Sequence, residues 1–473
     1  MKKNIILIDL ELSLIESISN SKKVNIEYLI TDANFSKLEE VKRLYDIKNI
    51  LTREEFHNNK ITEKIDIDYQ TIENFKASQL NSAYWQDRLS DDYNLKQYHF
   101  FNALAFWIEV FKKKNISAII LDKLMHGANY DSLALDVAKF FGISAFVIDY
   151  HMERYVNNNI TAARSVLDYN TNKRVSLNHS QFNLQCINID NYLFYIDKIE
   201  LGIKQKRKSI KEIIKNILPS YTSTVFHILV YTLRRQSIQR HGLNLSRSKT
   251  ISNIFYISKM KRFYDSISVK FDNSKKYIFY ALHFDPEAAT MARARFSNQL
   301  MIIAQLSQNL PDGWVLYVKE HPDQFRLYQE GWWYFLSSIH KFRTKEFYEE
   351  INKLHNVKFL KYDFKSEEII KSASAISTIN GSIALESIFL KKPLILFGHQ
   401  STPFGLSKDV FKIVSSKNCR EAIDQIKRGF EPNYSDINEI INNYLFELPN
   451  VTLLEVRLLI EYLVCEYLND LKT

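Results

Sequence analysis

The sequence predicts an α/β protein built from two parallel-sheet domains. Three observations carry that expectation. Short runs rich in Ile, Val and Tyr alternate with helical patterns through the first third of the chain. The same alternation returns after residue 276. Between them, roughly over 195–262, the sequence changes character. Alternation of this kind implies βαβ units and a parallel sheet, and 473 residues exceed what one ordinary core organises.

Taken in order, NIILIDL (4–10), NIEYLIT (25–31), SAIILDK (117–123) and SAFVIDY (144–150) read as strands. Two Lys ahead of the first run mimic an export signal. Asp9 and Glu11 interrupt it and no small-residue cleavage site follows, so a first strand is the expectation. FFNALAFWIEVFKKK and YDSLALDVAKFF read as helices, with Gly142 placed to end the second. The stretch from about 50 to 100 is polar and receives no assignment. In the second half, KYIFYALH (276–283) and WVLYVKEH (314–321) are strands, separated by a helix over 293–309 and a PDG turn. Strand, helix, strand, helix and strand follow at 357–363, 366–373, 375–379, 382–391 and 393–398, and an amphipathic helix closes the chain at 450–470. The expected division is 1–194, an insert at 195–264, a second domain at 265–450, and a C-terminal helix at 451–473.

Composition excludes several classes. Apolar residues at 46% and charged residues at 25% are ordinary for a globular chain. With only 10 Gly, no GxGxxG or GxxxxGK[ST] loop exists, which removes the dinucleotide and P-loop sites. Cys186, Cys419 and Cys465 lie far apart without a CxxC or Cys/His cluster, so no zinc site is expected and a reducing compartment fits. The charge of +9 is concentrated: 15 Lys/Arg against Glu200 and Glu212 between Lys198 and Arg262 give that stretch +13, leaving −4 elsewhere. Its centre, Asn216 to Leu233, is uncharged but contains Pro219, His227 and five Ser/Thr, a poor membrane span. It reads either as a solvated helical connection or as an anchor lying on an anionic inner-membrane surface through residues 198–262. No nucleic-acid partner is expected, because no reading motif accompanies the charge.

Ligands of parallel sheets bind beyond the carboxyl ends of strands, so the residues following each strand are the candidates. After the first strand of the second half come His283, Asp285 and Glu287, an imidazole and two carboxylates. After the next come Lys319, Glu320, His321 and Pro322, polar groups that are costly at a strand end unless it faces solvent or ligand. Asn380, Gly381 and Ser382 then form a tight turn opening a helix, an anion site without a Gly-rich loop. Glu386, one turn on, is placed for ribose hydroxyls. Lys319, His321, Arg293 and Arg295 are the phosphate or carboxylate partners. In the first domain, Asp122 and His126 follow a strand where an acceptor-activating group belongs, and Asp149 and His151 end the next. Asp285 and Glu287 serve equally as base or as carboxylate nucleophile. Asp66 and Asp68 form a lone DxD, best read as chance, so no metal and no cofactor are expected.

The series LHFDPEAAT, LPDGWVLYVKEHP and STINGSIALESIFLKKPLILFG resembles the bacterial capsule polysaccharide biosynthesis family, which includes capsule Kdo-transferases and related transferases of ulosonic acids. Arg343 with Phe347 and Tyr348 resembles a recurrent element between its motifs. The resemblance covers roughly 276–405. It implies a GT-B fold, with two Rossmann-like domains facing a cleft, and a metal-independent glycosyltransferase. It further implies a nucleotide-sugar donor, most simply a CMP-linked ulosonic acid, held by the VKEHP segment and the Gly/Ser-plus-Glu helix. The acceptor would be a glycan or a lipid-linked glycan, reached from the cytoplasmic side of the inner membrane. A nucleotide-diphosphate sugar or polyol-phosphate donor, and a non-catalytic assembly scaffold, are the alternatives.

Overall fold

The computed structural model describes residues 2–10, 12–31, 38–45, 47, 49–57, 66–87, 92–122, 129–156, 159–177, 239–240, 243–244, 247–285, 296–325, 339–398, 402–448 and 453–467. They fall into two compact units, one chiefly of residues up to 177 and from 438 onward, the other chiefly of 244–437.

The first unit begins with β1 (Lys3–Ile8), α1 (Leu12–Ser19), β2 (Val24–Thr31), α2 (Leu38–Tyr45), β3 (Asn49–Thr52) and α3 (Arg53–His57). The stretch left unassigned by sequence holds α4 (Tyr69–Asn74) and α5 (Lys76–Gln86), followed by the long α6 (Tyr93–Lys113). Asp68 is the N-cap of α4, its carboxylate accepting the Thr71 amide at 2.7 Å. Then come β4 (Ile116–Asp122), α7 (Ser132–Phe140), β5 (Ser144–Val156), β6 (Asn159–Asp168) and β7 (Lys173–Arg174). Gly142, at φ +67, takes the left-handed position that ends α7. The strand order β3-β2-β1-β4-β5 is parallel throughout. Both faces of these strands are covered, which is why Ile5–Ile8 and Ile119–Leu121 are consecutive apolar residues with no exposure. The sheet is not purely parallel: β6 folds back antiparallel on β5, and β7 on β6.

The second unit starts earlier than the expected boundary. α8 (Arg247–Ile267) occupies residues assigned by sequence to the insert, and buries Ile257, Met260 and Tyr264 in the second core. The second sheet consists of β8 (Ser268–Val269), β9 (Tyr277–Ala281), β10 (Val315–Lys319), β11 (Val357–Leu360), β12 (Ala375–Thr378), β13 (Leu394–Leu396) and β14 (Val410–Lys412). Its order, β8-β11-β10-β9-β12-β13-β14, is parallel at every pairing. The helices between are α9 (Gln299–Asn309), α10 (Lys345–Asn352), α11 (Ser366–Ser372) and α12 (Ile383–Phe389); α13 (Ser416–Lys427) and α14 (Ile437–Tyr444) follow the last strand. From β9 the chain moves outward through β10 and β11, then returns to place β12 on the other side of β9. That reversal is a topological switch point, where a crevice opens beyond the strand ends.

The chain leaves the second unit before the expected limit of 450. β15 (Phe446–Leu448) pairs antiparallel with β6, and α15 (Leu453–Cys465) packs its Val456, Leu459, Ile460 and Leu463 into the first core beside Leu14, Ile15 and Ile18. Among the described residues no helix is long and apolar enough to cross a membrane. Residues 216–233 lie outside the described residues.

Candidate functional site at the switch point of the second sheet

A cavity of about 400 Å³ opens at the carboxyl ends of β9, β10 and β12. Ala281, Leu282 and His283 line it from β9; Lys319, Glu320 and His321 from β10; Thr378, Asn380, Gly381 and Ser382 from β12; Ile383 and Glu386 from α12; and Ser366 from α11. The structure therefore brings together eight residues singled out by sequence: His283, Lys319, Glu320, His321, Asn380, Gly381, Ser382 and Glu386. Pro322 opens a 3-10 turn over 322–325 immediately after His321.

His283 is buried against the turn. The Asn380 amide donates to its Nε2 at 3.4 Å, and Nε2 lies 3.0 Å from the Thr378 hydroxyl, which accepts the Gly381 amide at 3.2 Å. An amide can only donate, so Nε2 is the unprotonated nitrogen and the neutral ring carries its proton on Nδ1. Burial lowers its pKa to about 4, against Asp285, which acts upward; His321 and Arg343 add to the lowering. The ring is neutral across the physiological range, a hydrogen-bond donor and not a cation.

Lys319 ends β10 with its ammonium donating to the Phe364 carbonyl at 3.0 Å. Burial lowers its pKa to about 8, with Glu386 and Asp363 opposing. It brings a desolvated positive charge to the cavity. The Asn380 and Gly381 amides turn inward to His283 and Thr378, whereas those of Ser382 and Ile383 have no acceptor among the described residues. The amides of the turn without an acceptor among the described residues thus begin at Ser382, not at Asn380. Gly381 is also constrained from within: an added Cβ would lie 3.1 Å from Thr378 Oγ1 and 3.2 Å from the His283 ring. A side chain there disturbs the cavity wall before it meets any ligand.

Two residues assigned by sequence to the site lie behind the cavity wall. Arg343 is buried, its Nε donating to Glu320 at 2.9 Å, one terminal nitrogen bonding Asp285, and the other donating to the His283 carbonyl at 2.7 Å. Asp285 also accepts from Gln299 at 2.6 Å. Sequence reasoning passed over Gln299 and Tyr264, which with Tyr348 complete this network, and Thr378 and Ser366, which line the cavity. The only sequence signal was the pairing of Arg343 with Phe347 and Tyr348. Glu287, Arg293 and Arg295 lie outside the described residues, as does His126 in the first unit.

In the first unit, Asp122 ends β4 in a buried ion pair with Arg164 at 2.8 Å. Asp149 pairs with Arg174 at 2.7 Å, and Ser165 joins Arg174 to His151. Asp9, which follows β1 at φ +59, is held by Arg53 at 2.7 Å and was not singled out by sequence. Asp68 of the DxD is engaged as a helix cap, and no group of three or more potential metal ligands occurs among the described residues.

Residues 203–417 match the family model described as capsule polysaccharide biosynthesis protein. The resemblance read from the motifs stands. All lining residues of the cavity fall inside the matched segment. Curated proteins yield no sequence match. Among solved structures, the chain is similar to the beta Kdo 2,7 transferase KpsC of Thermosulfurimonas dismutans, at 10% identity, 84% of this chain and 89% of that one, TM-score 0.29. It is also similar to the UDP-GlcNAc 2-epimerase of Methanocaldococcus jannaschii, at 12% identity, 92% and 95% coverage, TM-score 0.26. A third is the ADP-heptose LPS heptosyltransferase II of E. coli, at 10% identity, 90% and 98% coverage, TM-score 0.24.

Proposed function

We propose that the chain is a GT-B glycosyltransferase of bacterial surface-polysaccharide assembly, acting in capsule or lipopolysaccharide formation. It takes a sugar from a nucleotide-linked donor, a CMP-activated ulosonic acid such as Kdo or a nonulosonic acid, and passes it to a glycan or glycolipid. The observation that carries this reading is the switch-point cavity inside the capsule-biosynthesis match, with a cation, neutral donors and a carboxylate in one wall. A CMP-linked ulosonic acid bears a phosphate and a carboxylate. Lys319, His321, and the Ser382 and Ile383 amides suit those anions, and Glu386 suits the ribose hydroxyls. Fixed donors of this kind stabilise a leaving phosphate without a metal. Asp122 stands for the acceptor side.

The test is a thermal-protection screen over CMP, UDP, GDP and CDP. CMP at a hundred times its Kd should raise stability by about 2.7 kcal/mol, with less from the others at equal concentration. Stronger protection by UDP assigns the donor to nucleotide-diphosphate sugars. Protection by none removes the donor-site reading.

A glycolipid acceptor calls for work at the inner face of the cytoplasmic membrane, and residues 198–262 are the segment proposed to hold the protein there. At roughly 1 kcal/mol per engaged Lys or Arg, attachment is reversible and weakens with salt. The chain should bind anionic vesicles at low salt and release at high salt. Gln at Lys206, Arg207, Lys208, Arg234 and Arg235, all outside the described residues, should abolish binding and spare turnover on a soluble acceptor. Indifference of the unaltered chain to anionic vesicles at low salt overturns the membrane assignment.

A further inference from the structure

We infer that Arg343 is a positioning residue: a single buried guanidinium that locks together the chain segments leaving β9 and β10, and so fixes where His283 and His321 meet the cavity. The geometry is that of a three-way tie. From the β9 exit it takes the His283 carbonyl and the Asp285 carboxylate; from the β10 exit it takes the Glu320 carboxylate. Glu320 is fully buried and its remaining capacity is filled around this bond. Tyr348 donates to the same oxygen at 2.7 Å, and the His321 amide donates to the other at 2.8 Å. The Glu320 amide in turn donates to Tyr264 at 2.9 Å. Gln324 and Asp285 exchange two further bonds, at 3.1 and 3.2 Å, joining the two exits a second time.

Arg343 is itself held. Its ring contact is Phe347, with the guanidinium 4.6 Å from the ring centroid, and its carbonyl accepts from Tyr256 at 2.9 Å. Stability alone does not call for this arrangement, since apolar residues of similar volume commonly replace a buried ion cluster at no loss. What an apolar residue cannot do is address three acceptors on two segments in fixed directions. Lysine cannot either, being one point charge on a flexible stem, whereas the guanidinium is a planar fork. Arg343 therefore acts through the backbone at His283 and the carboxylate that orients the His321 amide, without lining the cavity.

The inference concerns the ligand-free site, and its reading as a donor site enters only in the second measurement. The first is the histidine nitrogen spectrum of the ligand-free protein at pH 7.5, comparing the unaltered chain with Arg343→Lys and Tyr348→Phe. In the unaltered chain His283 should show one neutral tautomer, protonated on Nδ1. Arg343→Lys, which keeps the charge, should fold but give His283 mixed tautomers and a shifted signal; Tyr348→Phe should give a smaller shift of the same kind. The second is CMP affinity, expected to fall at least tenfold in Arg343→Lys. A folded Arg343→Lys whose His283 signal is unchanged overturns the inference. So does one that is merely less stable, with His283 and CMP affinity both as in the unaltered chain. If CMP binds neither protein, the donor reading fails while the tautomer result still decides this one.

Discussion

Lys319→Met should weaken CMP binding and stabilise the protein against unfolding, both at once. The two effects have one cause. Burial lowers the pKa of this lysine to about 8, with Glu386 and Asp363 only partly offsetting it. In the unfolded chain the group titrates near its ordinary value. Between those two values the unfolded state holds a proton that the folded state lacks, so stability rises with pH through that window. Below about pH 8 the whole cost of burying the ammonium is present, on the order of 3 kcal/mol. Methionine removes it and gives back the hydrogen bond to the Phe364 carbonyl, worth about 1 kcal/mol. The net gain should be about 1–2 kcal/mol, read from the denaturant midpoint at pH 7. The same substitution removes a charged hydrogen-bond donor from the cavity, and CMP affinity should fall by roughly 10–100-fold. In the unaltered chain affinity should also decline above about pH 8 as Lys319 loses its proton. Undiminished affinity in Lys319→Met would show that the lysine faces no anion.

The second large effect is expected at Gly398, beyond the end of β13. Its amide donates to the Ile379 carbonyl at 2.7 Å, and a Cβ built there would lie 2.7 Å from that same oxygen and 2.9 Å from Ile379 Cγ2. The obstruction is backbone, so no rotamer change relieves it. Ile379 must move, and Asn380 and Gly381 follow it directly in the cavity wall. Gly398→Ala should therefore destabilise the second unit by about 3 kcal/mol, the upper end of overpacking costs, and weaken CMP binding as well. Gly142, Gly313 and Gly429 provide the contrast. Each has a positive φ but nothing within 4 Å of an added Cβ, so Ala there should cost only about 1 kcal/mol. Urea midpoints across the four variants give the comparison. A Gly398→Ala protein as stable as its parent would mean that the turn yields without resistance.

The legible parts of the sequence were those where burial imposes a repeating pattern. β4 of the first sheet and β9 and β10 of the second are covered on both faces, and their continuous apolar runs say so. Much of the region around α5 was opaque because its buried face carries Ser78, Ser82 and Gln86 beside Trp85, which erases the apolar stripe of a helix. β6 was hidden in the same way, with Arg164, Ser165 and Asp168 among its buried residues. At the cavity, Lys319, Glu320 and His321 stood out as polar residues at the end of a buried strand. The network behind them did not, because Arg343 reaches Glu320 across 23 positions and Asp285 across 58. Pairing at such separations leaves no local signal.

The first unit is made from both ends of the chain, and this orders its assembly during synthesis. Its sheet and the helix α1 emerge early, but β15 and α15, which complete one sheet edge and part of its core, are the last described elements to leave the ribosome. Roughly 250 residues of other sequence intervene; at about 5–20 residues per second that is a wait of roughly 12–50 seconds. During it, Leu14, Ile15 and Ile18 lack their apolar cover from α15. The second unit, although it comes later in the sequence, has all its strands available sooner. Domains ordinarily finish in the order of their synthesis; here the second has all its described strands first, and the first keeps part of its core uncovered until the helix over Leu453–Cys465 arrives.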